Sequence, residues 1–302
     1  SVGRLLATAR MKYEFIAEYA QVHSIALMCK VLKASRSGYY AFAKGTISAR
    51  ETANEKLLEE IRSVHTGSHE IYGSPRVFRD LRENGVSCGR HRIARLMAKA
   101  GIVSRIRRRF RITTRKDPKA GYVPDQLQRS FVAMRPHQIW MSDMTYIWTT
   151  EGWLYLAVVM DLYSRLIVGW ATGNRIDAGL VCRAVNSALM RHQPATEIIF
   201  HSDRGSQYTS ELLRKLMAKN QWIALVPSHA RSCYDNAVAE SFFHTLKTEW
   251  VYFERYQSRQ HAHHSLFEYI EIFYNRKRRH SSLGYSTPGE VEALYQTNKK
   301  SA

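Results

Sequence analysis

Gln138-Ile139-Trp140-Met141-Ser142-Asp143-Met144-Thr145-Tyr146-Ile147 is the stretch that decides the architecture. Its apolar, aromatic and β-branched side chains read as a strand, extending over 138–149. An aspartate inside such a run needs a reason, because a carboxylate leaves water only when it is paired or holds a cation. Two further strand patterns follow at 153–161 and 165–172, joined by the turns Glu151-Gly152 and Tyr163-Ser164. A helical pattern at 177–191 comes next. Then Glu197-Ile198-Ile199-Phe200-His201-Ser202-Asp203 forms a strand that ends on a second aspartate before a Gly-Ser turn. A helix over 209–219, a short strand over 222–226, a loop, and a helix carrying Glu240 complete the region. Three meandering strands followed by alternating helix and strand describe a mixed α/β sheet.

Asp143, Asp203 and Glu240 are therefore the candidate catalytic residues and metal ligands. Two strand-borne aspartates and a helix-borne glutamate make an oxygen-only set suited to hard divalent cations. Around Glu240, Asn236, His244 and Lys247 recur at helical spacing and share its face. Ala239, Phe243, Leu246 and Trp250 form a neighbouring apolar stripe. A carboxylate for metal beside Lys247 for phosphate would serve to hold a DNA end. Asp161, in Asp161-Leu162-Tyr163-Ser164-Arg165, competes as a ligand. Its hairpin-end position is read instead as a structural Asp-Ser-Arg hydrogen-bond cluster. His261, His263 and His264 have no cysteine or carboxylate spaced to complete a metal site and are read as helix surface.

The bulk numbers point to a polyanionic partner. The 302 residues carry 45 Lys and Arg against 26 Asp and Glu, a net charge of +19. That excess suits phosphate backbones, whose neutralisation releases counterions. No apolar run reaches the ~18 residues of a spanning helix, and no signal peptide opens the chain. Cys29, Cys88, Cys182 and Cys233 include no C-x-x-C pair, which argues against a structural zinc site and for a reducing compartment. A cytoplasmic, nucleoid-associated location is expected, with no membrane partner.

Five segments are expected. Residues 1–48 are helical, with Ser24 capping a helix from Ile25. Residues 50–103 are amphipathic helices: Leu57, Leu58, Ile61 and Val64 recur at helical spacing, Ser74 caps a helix with Pro75 at its first position, and Gly85 turns the chain. The next helix shows Arg90, Arg92, Arg95 and Lys99 on one side and Ile93, Leu96 and Met97 on the other. Helix, glycine turn, basic helix is the helix-turn-helix pattern, with a plain three-helix bundle as its alternative. Residues 104–130 read as a basic linker, with Arg105, Arg107, Arg108, Arg109 and Arg111 placed for DNA contact. The catalytic core spans 131–250. Residues 251–302 form a helical tail, with an apolar stripe of Leu266, Phe267, Ile270, Phe273 and Tyr274 and a basic turn, Asn275 to His280, whose Arg278 and His280 are further candidates for DNA.

The core's element order is similar to the RNase H-like architecture, and the motifs resemble a known family. Trp140-Met141-Ser142-Asp143-Met144-Thr145-Tyr146, Val159 to Trp170, His201-Ser202-Asp203-Arg204-Gly205-Ser206-Gln207-Tyr208, Cys233 to Phe243 and Tyr274 to Tyr285 carry the likeness. The chain looks like the D-D-E transposases of bacterial insertion sequences, specifically the second-frame product of the insertion sequence three family, whose catalytic core is similar to retroviral integrase. The resemblance implies that Asp143, Asp203 and Glu240 bind Mg²⁺, with Mn²⁺ able to substitute. It implies that Lys247 contacts the element's end and that residues 50–103 are a DNA-binding helix-turn-helix.

It further implies cleavage and joining of terminal inverted repeats, double-stranded element and target DNA as partners, and a homo-oligomer of two or more copies. The rival readings are an RNase H-like nuclease that never joins and an inactive DNA-binding regulator. One departure stands out: positions 204 to 239 put 36 residues between Asp203 and Glu240, one more than the family usually has. The extra residue is expected around 220–232. Met11 resembles the family's second-frame start, which implies that Ser1 to Arg10 are a remnant of a fused upstream frame.

Overall fold

Three short helices open the described part of the chain: α1 (Ala9–Glu18), α2 (Ile25–Val31) and α3 (Arg36–Ala43). They bury Ile16, Met28, Cys29 and Tyr39 together. Ser24 stands at the cap of α2 as expected, although its side chain makes no capping hydrogen bond there. The computed structural model describes residues 8–45, 49–106, 133–192, 197–202, 205–220, 223–227 and 237–301. It divides into two compact units, Ser1–Arg62 and Ser63–Ala302, and the division falls within α4 (Ala49–Gly67). Along α4, Leu57 and Ile61 are buried, at the helical spacing read from the sequence.

In the second unit, α5 (Ser74–Glu83) and α6 (Arg90–Lys99) pack on each other through Val77, Leu81, Ile93, Leu96 and Met97. The cap of α5 is Gly73, one residue before the expected Ser74, which places Pro75 at the second helical position. Gly85 turns the chain with φ +82, a conformation that penalises any Cβ. Arg90 and Arg95 are exposed on α6 and Arg92 is half-buried. The basic segment from Arg107 onward, including Arg108, Arg109 and Arg111, lies outside the described residues.

The sheet has the strands β1 (Ile139–Thr149), β2 (Gly152–Asp161), β3 (Ile167–Gly173), β4 (Ile198–Ser202) and β5 (Ile223–Pro227). Their spatial order is β3-β2-β1-β4-β5. β1, β2 and β3 form an antiparallel meander, while β4 and β5 run parallel to β1. Two helices, α7 (Ala178–His192) and α8 (Glu211–Lys219), supply Val181, Ala184, Val185, Ala188, Leu213 and Met217 to the main core. Those side chains cover Trp140, Ala157, Val159, Val168 and Phe200 of the sheet. At Gly169 a Cβ would collide with the Ala184 carbonyl and with Ala188, so the absent side chain lets α7 lie close on β3.

The third strand begins two residues later than expected because of a tight turn before it. Asp161 accepts hydrogen bonds from the Ser164 amide (2.8 Å) and hydroxyl (2.6 Å), and Arg165 takes φ +63. Fully buried Asp161 also accepts the His137 amide at 2.8 Å, and burial pushes its pKa up despite these bonds. Asp161 is thus a structural residue, in agreement with the sequence reading.

Beyond the sheet come α9 (Ala237–Glu249), α10 (Arg259–Phe267), a π-helix over Glu268–Tyr274, and α11 (Pro288–Ser301). The wider π turn changes the apolar stripe. Leu266, Ile270, Phe273 and Tyr274 are buried as expected, but Phe267 is 45% exposed and Tyr269 takes an inside position. After it, Asn275 locks the start of β3, accepting the Ile167 amide (2.9 Å) and donating to the Ile167 carbonyl (3.0 Å).

Candidate active site

The ladder between β1 and β4 defines the position of Asp143. Among the described residues the two strands pair up to Ser142↔Ser202, and Asp143 follows Ser142 within β1. The position is rigid. The Ser142 hydroxyl donates to the Val158 carbonyl at 2.9 Å and lies 3.1 Å from the Tyr208 hydroxyl. Asp143 is half-buried, and its Oδ1 accepts the Met144 amide at 2.7 Å. Asp203 follows Ser202 in the chain and lies outside the described residues, as does Asn236.

Helix α9 packs against β1 and brings the third carboxylate. Ala239, Phe243, Leu246 and Trp250 are buried, matching the apolar stripe, and Phe242 joins them. Glu240 stands in the first turn, exposed, with His244 exposed one turn later. Lys247 is half-buried, and its Nζ lies 5.1 Å from the centre of the Tyr146 ring. Burial lowers the Lys247 pKa, while the charge of Asp143 acts to raise it.

The basic turn after the π-helix is built differently from the expectation. Arg278 is buried and makes a bidentate ion pair with buried Glu249, with Nε–Oε2 and Nη2–Oε1 both at 2.7 Å. The pair outweighs the desolvation that opposes it and pushes the guanidinium pKa up. His280 is largely buried against Arg278 and Tyr274, and burial followed by the nearby arginines pulls its pKa down to about 2. Arg278 is therefore held inside by Glu249 rather than at the surface, and His280 lies partly exposed beside it. Sequence patterning misses this since Glu249 lies far upstream of the basic cluster.

The same network reaches α5. Arg76 bonds Glu249 at 3.3 Å, Arg279 pairs with Asp80 and Glu83, and the Tyr72 hydroxyl donates to the Lys277 carbonyl at 2.7 Å. These bonds tie the helix pair α5–α6 to the end of α9. Arg105 is exposed, with its guanidinium 4.2 Å from the Phe253 ring centre.

Two further groupings escape the sequence reading. Tyr146, Trp148 and Trp153 form an exposed aromatic set on the β1–β2 hairpin. The alternation Tyr146-x-Trp148 and the tight Glu151-Gly152 turn were the available signals. His137, His192 and Glu292 place ligand atoms within 4.8 Å of one another. Trp140 Nε1 donates to His137 Nδ1 (3.3 Å), so His137 Nε2 is left to donate to Glu292 (2.8 Å). Burial opposes ionisation of Glu292, but the two histidines prevail and bring its pKa down to about 2. The group fastens α11 beside the start of β1. His263 bonds Thr172 at 2.9 Å instead of joining a metal cluster.

An antiparallel meander continued by two parallel strands, with helices over the sheet, defines an RNase H-like catalytic core behind a helix-turn-helix-like region. The family model "Integrase core domain" matches residues 133–233 and a second of that description matches 221–288, while "HTH-like domain" matches 52–110. A 31 kDa insertion element IS600 protein of Shigella sonnei is 40% identical over 268 residues, covering 89% of this chain and 98% of that protein. Transposase InsF for insertion sequence IS3A of Escherichia coli K12 is 36% identical over 284 residues, covering 93% and 98%. The catalytic core domain of BIV integrase aligns at 19% identity and a TM-score of 0.40, over 54% of this chain and 99% of that one. The chain belongs to the transposases of the IS3 family of insertion sequences. No described helix is long and apolar enough to cross a membrane.

Proposed function

We propose that this transposase hydrolyses a phosphodiester at each end of its element to expose a 3′-hydroxyl, which attacks a phosphodiester directly, forming a new P–O bond while the attacked strand leaves with its own 3′-hydroxyl. The observation that carries the reading is the parallel pairing of Ser142 with Ser202: Asp143 follows the first in the chain, Asp203 the second, and Glu240 rides on the helix packed against β1. Three carboxylates with no sulfur or nitrogen donor fit Mg²⁺ or Mn²⁺. Bound divalent metal would supply activation of the attacking oxygen and neutralisation of the leaving one.

The chain's own groups do the rest. Strand β1 holds Asp143 rigid, and the apolar stripe of α9 sets the position of Glu240 and Lys247. Lys247, with His244 beside it, binds the phosphate near the reacting bond. Arg90, Arg92 and Arg95 of α6, together with Arg105, engage the duplex backbone. Residues 50–103 then act as the DNA-binding part, 131–250 as the core and 251–302 as a tail that braces both. Bringing two element ends together calls for at least two copies on DNA.

The test uses labelled terminal DNA with Mg²⁺, scored for both cut and joined products. Wild type is expected to yield both, and Asp143→Asn neither. Cut product without any joined product would make the chain a nuclease; activity surviving in Asp143→Asn would overturn the assignment. Calorimetric titration with Mn²⁺ gives a second readout, in which Asp143→Asn is expected to lose binding.

A further inference from the structure

Exposed indole and phenol rings are costly to leave in water without a purpose. On the β1–β2 hairpin, Tyr146 is 55% exposed, Trp148 60% and Trp153 42%. Tyr146 and Trp153 meet edge to face at 4.9 Å between ring centres, and Trp148 and Trp153 at 4.8 Å, so the three rings brace one another. Cations flank the set. Lys247 Nζ stands 5.1 Å from the Tyr146 ring, and Arg259 Nε donates to the Trp153 carbonyl at 3.1 Å. Aromatic faces alternating with fixed cations are what bind unpaired nucleotides, the rings taking bases and the cations taking phosphates.

The placement relative to Asp143 matters as much as the composition. Tyr146 lies three residues farther along β1 and Trp148 five, roughly 10 and 17 Å at strand rise, and the odd spacing turns both side chains to the other face of the strand from Asp143. At about 3.4 Å per nucleotide step, that is a few nucleotides from a bond held at Asp143. Lys247 links the two faces, since the charge of Asp143 acts on it and its Nζ stands 5.1 Å from the centre of the Tyr146 ring.

We infer that Tyr146, Trp148 and Trp153, with Lys247 and Arg259, form a stacking subsite for unpaired bases of a DNA strand close to the cleaved end. The inference rests on the transposase reading above and adds to it a local opening of the duplex next to the reacting bond. The rings hold extruded or frayed bases, and so keep the strand end from re-pairing while Lys247 and Arg259 take the adjoining phosphates.

The test is binding of the full chain, without divalent metal, to an oligothymidine of about 16 nucleotides and to an abasic oligonucleotide of equal length and charge. The unaltered chain is expected to bind oligothymidine about tenfold more tightly, as one stacked base would provide. Trp148→Ala should bring oligothymidine down to the abasic level, and Trp148→Phe should retain most of the difference. Equal affinity of the unaltered chain for both probes overturns the inference, and that comparison needs no variant. So does an equal loss on both probes in Trp148→Ala, or a change in subunit number with the base-dependent difference intact. No strand is cut in this assay, so metal-dependent cleavage that vanishes in Asp143→Asn remains a separate test, and each can fail alone.

Discussion

Ser142 of β1 and Ser202 of β4 are paired across a parallel ladder, and each is followed in the chain by an aspartate. A residue next to a paired position of a sheet shares its rigidity, which a metal-binding carboxylate needs. Replacing Asp143 or Glu240 by the isosteric amide should therefore lower DNA cleavage and joining together, by at least about 10²–10³-fold. Circular dichroism should show an unchanged fold, because Glu240 is exposed and Asp143 is only half-buried. Measured rates for cutting and joining that fall by different factors would separate the two steps.

Glu249 and Arg278 form the most deeply buried ion pair among the described residues. Removing one partner strands a charge in the interior, so Glu249→Ala should cost about 3–5 kcal/mol in urea unfolding. The double variant Glu249→Met, Arg278→Met should recover much of that loss, since two apolar side chains leave no charge behind. A double variant no better than the single one would mean that the pair acts through shape.

Asn275 closes both backbone groups of Ile167. Asn275→Ala leaves two buried groups at the start of β3 without these partners, at about 1–3 kcal/mol each at most. Amide exchange at Ile167 should quicken while exchange in β1 stays slow.

His280 sets a pH dependence. Its folded pKa of about 2 lies far below the unfolded value near 6.5, so the unfolded chain binds the proton first. Stability from this residue is complete above pH 6.5 and is lost progressively as pH falls towards 2. Between pH 6.5 and 5 the loss is at most about 2 kcal/mol. The variant His280→Gln should flatten that part of the curve, read as the urea midpoint at each pH.

The sheet was legible because its strands are short apolar runs bounded by clear turns, and the described ends differ from the reading by one or two residues. Asp161 and Ser164 delay β3, for example. The helix of Glu240 was legible from two stripes at helical spacing. What stayed hidden depends on distant partners. Arg278 looks like a surface cation until Glu249 is folded against it, and Phe267 belongs to the apolar stripe yet is 45% exposed. Tyr146, Trp148 and Trp153 are ordinary strand residues until the hairpin gathers their rings.

Convergence of Asp143, Asp203 and Glu240 on bound metal is tested most directly by loading the full chain with Fe²⁺ and generating hydroxyl radicals with ascorbate and peroxide. Radicals cut the polypeptide only next to the ion. Fragments ending near 143, 203 and 240 together, suppressed by excess Mg²⁺, are the predicted result. Cuts at one of these places alone, or around His137, His192 and Glu292 instead, would contradict it.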